Sequence, residues 1–216
     1  MYMEIKKGQI IEKESRTLIA HVLDYYAVPS YGRFLVERAV HATADFSLAT
    51  LFCISANFVE HALDSLSRPV RLYCDVEMVK SGLSPALLKT IDVRPEVLVH
   101  QPECFTLAAR NHLTRSEAAV DLAVSEGFRV FVFGNTPTGV ERLIAHIRKG
   151  YEVEWVIAVP VGFVKAAQVK NEIFSLPVSS VIMRGPRGGS PIAASLVNGL
   201  MEEKLKNTKT NRESTL

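Results

Sequence analysis

Apolar residues follow two regimes along this chain. Up to about Pro69 they recur at helical spacing, and beyond it they gather in short, nearly continuous runs. Residues 1–14 read as an extended leader. Ser15 reads as the N-cap of a helix carrying Thr17, Leu18, Ala20, His21, Val22 and Tyr25. Ala27-Val28-Pro29-Ser30 breaks that helix. Phe34, Leu35, Ala39, Val40 and Ala42 then mark a second helix, and residues 56–63 a third. The later runs, 70–75, 97–101, 130–135, 155–161 and 178–184, are rich in Val, Ile and Phe, as parallel strands buried on both faces must be. Helical segments 85–91, 115–126, 138–149 and 165–175 separate them, and 191–204 follows the last. Such spacing suits right-handed crossovers. The expected fold is α/β: an open five-stranded parallel sheet with helices on both faces, flavodoxin-like with order 2-1-3-4-5, preceded by N-terminal helices. Residues 1–205 form one domain in this reading, and the polar stretch 206–216 a disordered tail.

Composition narrows the picture. The 216 residues are 48% hydrophobic and 22% charged, values of a globular domain large enough for a real core. A net charge of +2 argues against a nucleic-acid partner, which demands a basic face. The longest apolar run, Val156 to Val164, contains Pro160 and Gly162 and is too short to span a bilayer, so no membrane role is expected. Cys53, Cys74 and Cys104 have no Cys-x-x-Cys spacing and read as reduced core thiols of a cytoplasmic protein.

The helix starts carry more information. Ser84-Pro85 and Ser190-Pro191 each read as an N-cap followed by proline at the first helical position. Thr114 to Glu117 and Thr138 to Glu141 have capping-box spacing. In this topology most helix N-termini meet the carboxyl ends of the strands, where exposed N–H groups favour an anionic ligand. Every α/β fold caps its helices there, so the signal is general.

Four stretches bear on chemistry. On a helix, His41 stacks over Arg38 and Glu37, with Asp45 one turn further on. A carboxylate that close would favour the imidazolium and make an acid able to release its proton near neutral pH. The same spacing describes a histidine satisfied near a helix end, and the segment alone allows both. Asp75, at a strand end before a turn, could hold a ligand or stabilise its loop. Arg115, in the first turn of a helix, opposes the macrodipole and is best explained by a carboxylate gripped in its fork, either a ligand's or a neighbour's. Arg184 to Pro191 is a glycine-rich loop into a helix that fits neither nucleotide-binding glycine pattern and closes the last unit rather than the first. Its two arginines suit a bulky carboxylated ligand.

Six motifs in order resemble one family. V-x-R-x-x-H-x-T-A-D-F over 36–46, D-x-x-M-V-x-x-G-L over 75–83, T-R-S-x-A-A over 114–119, G-N-T-P-T over 134–138, P-V-G-F-V-x-A over 160–166 and G-x-x-G-G-S over 185–190 resemble the precorrin-8X and cobalt-precorrin-8 methylmutases of cobalamin biosynthesis. Thr136 and Gly139 depart from the alanines usual there. The resemblance implies an isomerase that moves a methyl group from C-11 to C-12 of the corrin precursor, giving hydrogenobyrinate or cobyrinate, without cofactor or metal site. It implies His41 as general acid. Ser15, Arg38, Thr43, Asp75, Met78, Arg115, Asn135, Thr138, Gly162, Arg184, Arg187, Gly188, Gly189 and Ser190 would contact a corrin-type tetrapyrrole. It also implies a homodimer. A non-catalytic corrinoid carrier of the same fold, or an unrelated flavodoxin-like enzyme binding a phosphate, would be the rivals.

Overall fold

The polar lead is helical rather than extended. Tyr2–Leu23 form one helix, α1, in the computed structural model, which describes residues 2–213 and the side chains of 7–208. Glu12 and Arg16 pair one turn apart at 2.7 Å, a contact that supports a helix of low apolar content. Ile19 and Leu23 are buried and anchor its end. Ser15 therefore lies in mid-helix instead of capping one, and its hydroxyl donates to the Ile11 carbonyl at 2.9 Å.

A 3-10 turn leads into α2 (Arg33–Thr43), and another, Phe46–Leu51, into β1 (Phe52–Ile54). There follow α3 (Phe58–Ser65), β2 (Val70–Cys74), α4 (Glu77–Ser81), α5 (Pro85–Ile91), β3 (Val93–Glu96), α6 (Pro102–Asn111) and α7 (Arg115–Ser125). The chain continues through β4 (Val130–Phe133), α8 (Pro137–Arg148), β5 (Trp155–Ala158), α9 (Ala166–Phe174), β6 (Ser179–Met183) and α10 (Ser190–Glu213). Helix α10 runs on into the stretch expected as a tail; residues 214–216 lie outside the described residues.

The sheet has six strands, in order β1-β6-β5-β4-β2-β3, and is mixed. This corrects the wholly parallel five-stranded expectation. Strand β1 pairs antiparallel with β6, Cys53 opposite Ile182, while the other pairings are parallel. Strand β3 also lies earlier than the 97–101 run. Its Pro95 speaks against a strand in sequence, yet an edge strand tolerates a missing N–H. Leu98 and Val99 are buried in the loop that follows.

Side chains alternate between two cores, as the pleat requires. Leu72, Val130, Val132, Ile157 and Val181 face the layer of α2, α3 and α10; Tyr73, Phe131, Phe133, Val156 and Ile182 face that of α6 to α9. Strands covered on both sides explain the continuous apolar runs. Arg38 pairs with Glu202 on α10, and Asp45, just past the end of α2, pairs with Arg187 ahead of α10. Helix α2 thus runs antiparallel to α10 and aims its last turn at the carboxyl edge of the sheet.

Candidate active site at the carboxyl edge of the sheet

Three loops are knitted together where β4, β5 and β6 end. The Gly162 N–H donates to the Pro186 carbonyl at 3.0 Å, and the Gly189 N–H to the Val159 carbonyl at 2.9 Å. Glycine is required here. A Cβ on Gly188 would sit 2.1 Å from the Val159 oxygen, and one on Gly134 would meet the Cα of Ser190 at 2.7 Å. The glycine-rich loop is therefore a close-fitting brace, leaving Arg184 and Arg187 exposed on its outer side.

Asp75 ties β2 to the same edge. Its carboxylate accepts from the N–H groups of Gly134, Asn135 and Thr136 at 3.1, 2.7 and 2.8 Å, and from the Thr136 hydroxyl at 3.1 Å. Burial pushes its pKa up, against the pull of those four donors. With its oxygens occupied and the residue 1% exposed, Asp75 acts on the loop from within. Thr136, not Thr138, precedes α8, and the Thr138 to Glu141 capping box does not form; Glu141 instead pairs with Lys165 at 3.0 Å. The other box does form: the Thr114 hydroxyl accepts from the Glu117 N–H at 3.2 Å, and Glu117 accepts from the Thr114 N–H at 2.8 Å.

His41 is exposed in the last turn of α2 and makes no hydrogen bond or ion pair among the described residues. It borders a cleft between α1, α2 and α10 that Arg16, Phe34, Arg38 and Glu202 also line. The carboxylates expected to tune it are committed elsewhere. Glu37 pairs with Arg33 at 3.0 Å; Asp45 accepts from the Ser47 N–H at 2.9 Å and the Ser47 hydroxyl at 2.6 Å. Ser47 and the nearby Arg187 guanidinium hold the Asp45 carboxyl below the usual range. Arg38 is engaged by Glu202 at 3.3 Å, and its buried Nε has no partner. The Thr43 hydroxyl closes the helix end on the Ala39 carbonyl at 2.8 Å.

Arg115 stands at the start of α7 with its guanidinium 5.5 Å from the centre of the Phe105 ring. Neither Arg115 nor Arg184 has a carboxylate partner among the described residues. Asn135 and Met78 are exposed, Thr138 half-buried, and Ser190 buried at the start of α10. The edge thus gathers Asp75, Asn135, Gly162, Arg184, Arg187, Gly188, Gly189 and Ser190, and the link from Arg187 to Asp45 joins the end of the His41 helix to them. Ser15 belongs to α1, apart from this brace. Phe163 and Val164, outside the contacts expected from sequence, are 98% and 80% exposed beside Gly162.

The comparisons with known proteins agree on one family. A sequence model described as precorrin-8X methylmutase matches residues 10–203. The chain is 35% identical over 204 residues to the cobalt-precorrin-8 methylmutase of Salmonella typhimurium, covering 91% of this chain and 96% of that one. It is 32% identical to a precorrin-8X methylmutase of Sinorhizobium, over 92% and 96%. A solved precorrin-8X methylmutase from Thermus thermophilus superposes with a TM-score of 0.87 at 29% identity, covering 93% of this chain and 98% of the other. The chain belongs to the precorrin-8X methylmutase family.

Proposed function

We propose that this protein is an isomerase of cobalamin biosynthesis, moving a methyl group from C-11 to C-12 of precorrin-8X or cobalt-precorrin-8, with His41 as the general acid. The observation that carries the reading is an exposed imidazole at the end of α2 that makes no hydrogen bond or ion pair among the described residues, linked to an edge whose Arg184, like Arg115 at the start of α7, has no carboxylate partner among them. A corrin precursor carries many acetate and propionate carboxylates, which such guanidiniums bind in bidentate pairs. Phe163 and Val164 offer apolar surface for the ring. Proton transfer from His41 to the macrocycle withdraws electron density and lowers the barrier to migration. Isomerisation consumes no net proton, so the imidazole recovers it as the product forms. The arginines contribute by holding one face of the ring toward the acid.

The order β3-β2-β4-β5-β6 of the parallel strands supports a flavodoxin-like description, with β1 added at the edge. We further read the protein as one domain over 1–205, acting as a cytoplasmic homodimer; no helix among the described residues is long and apolar enough to cross a membrane. The test is incubation of purified protein with precorrin-8X and, separately, with cobalt-precorrin-8, followed by visible absorption. Conversion of either is expected. Binding without conversion would indicate a carrier, which needs the arginines and not His41, and failure to bind either would reject the reading.

A further inference from the structure

Beneath the glycine-rich loop lies a charge with no part in the proposed chemistry. Lys170 on α9 is 0% exposed, and its Nζ donates to the Arg187 carbonyl at 2.7 Å. Burial of an ammonium is costly unless its donors are used, and desolvation pulls the Lys170 pKa down to about 8. The charged groups of α8 and α9 other than Lys170 are paired, Arg142 and His146 of α8 with Asp121 on α7. On α8 and α9, Glu141 pairs with Lys165 at 3.0 Å and Arg148 with Glu172 at 2.8 Å. Strand β6 carries no titratable side chain, and the loop itself brings Arg184 and Arg187.

The backbone on either side of Arg187 is already tied down. Pro186 accepts from Gly162, Gly189 donates to Val159, and Gly188 lies against the Val159 carbonyl. The Arg187 carbonyl between them is held by Lys170, while its guanidinium extends the other way to Asp45 and Ser47. We propose that Lys170 is the positioning residue for Arg187, fixing from inside the core the peptide from which that guanidinium reaches the end of the His41 helix. The inference rests on reading Arg187 as a ligand-binding arginine. Deprotonation replaces a charge-assisted hydrogen bond by a weaker neutral one, so the loop loosens as pH rises through the Lys170 pKa.

The experiment compares wild-type protein with Lys170→Met, which keeps an unbranched side chain one atom shorter and removes the donor. Affinity for hydrogenobyrinate and cobyrinate is titrated from about pH 6 to about pH 10, spanning lysine's perturbed and ordinary ranges. Wild-type affinity should fall above about pH 8, and Lys170→Met should bind about ten-fold more weakly near neutrality, with that alkaline step gone. Wild-type affinity in the variant, or an unchanged alkaline step, would overturn the proposal. Amide exchange at Gly189 gives a readout independent of the ligand: about ten-fold faster exchange in the variant, with core strands unchanged, is expected. Unaltered Gly189 exchange would contradict it. If wild-type protein binds neither corrinoid, the proposed function fails while the Gly189 measurement still decides the role of Lys170. Should Lys170→Met not fold, NMR titration of the wild type replaces it. A shared midpoint for the Lys170 side chain and the Gly189 amide is expected, and separate midpoints would reject the coupling.

Discussion

Arg187 Nη1 lies 3.3 Å from Asp45 Oδ2 and 2.6 Å from Ser47 Oγ, joining the loop after β6 to the turn that ends the His41 helix. Side chains about half exposed gain little stability from such a pair, typically 1 kcal/mol or less. The contact matters instead for where the guanidinium is kept. Arg187→Ala should change unfolding free energy by no more than about 1 kcal/mol yet weaken corrinoid binding about ten-fold or more. Denaturant unfolding and absorption titration separate the two effects; a large stability loss with unchanged affinity would make the contact structural only.

Arg115 is the second guanidinium to test, since its neighbour is an aromatic ring and not a carboxylate. Arg115→Ala should cost roughly 1.5–3 kcal/mol of corrinoid affinity, the range for a hydrogen bond to a charged group. The capping box of Thr114 and Glu117 stays intact in this variant, so thermal stability should hardly move. Unchanged affinity would remove Arg115 from the site.

Particular residues show what the sequence could reveal of this architecture. Strands β2, β4, β5 and β6 were legible because burial on both faces leaves little room for polar residues in Val130–Phe133 or Trp155–Ala158. The edges were not. Strand β1 is three residues long, and β3 contains Arg94 and Pro95, which only a strand with one unpaired side accommodates. The first half of helix α1, up to Ser15, was hidden because its support comes from ion pairs and from contact with α2, not from a full apolar stripe. At the site, motif order brought His41, Arg115 and the glycine-rich loop to notice. It could not reveal that Asp75 turns inward, because a carboxylate at a strand end looks the same whether it accepts from a ligand or from three backbone N–H groups. Nor could spacing on α2 foretell that Glu37 would go to Arg33 and Asp45 to Ser47.

The inward role of Asp75 has a measurable cost. Asp75→Ala strands the N–H groups of Gly134, in a buried setting, and of Asn135 and Thr136, in a part-buried one. At about 1–3 kcal/mol for each unsatisfied group, a loss of roughly 3 kcal/mol or more is expected, lowering Tm by roughly 6–12 °C for a chain of this size. Asp75→Asn, which keeps one acceptor oxygen, should fall between. Wild-type stability in Asp75→Ala would mean that the carboxylate is available to a ligand after all.

Acid should loosen the outer helical layer at a defined point. Burial raises the Asp121 carboxyl, but hydrogen bonds from Arg142 at 2.6 and 2.7 Å and from His146 at 2.6 Å outweigh it and hold the group below its ordinary range. A depressed folded-state pKa gives stability that is present above the unfolded carboxylate value, about 4, and is lost as pH falls through the folded value. Asp121→Asn should therefore be less stable than wild type by roughly 1–3 kcal/mol near neutrality, with the gap closing below about pH 4. Denaturant midpoints across that interval test it; a gap independent of pH would show that the charge is not what holds α7 to α8.

His41 is where the proposed chemistry is most exposed to test. Asparagine matches imidazole in approximate size and keeps some hydrogen bonding, but it has no acidic proton to give. Because His41 makes no hydrogen bond or ion pair among the described residues, His41→Asn should leave the fold and corrinoid affinity near those of wild type. Conversion of precorrin-8X or cobalt-precorrin-8, followed by the change in visible absorption as ring conjugation changes, should slow by roughly two to four orders of magnitude, the usual share of general acid catalysis. Binding with that loss of conversion is the predicted result. Conversion by His41→Asn at the wild-type rate would contradict it, and the proton source would then have to be sought away from α2.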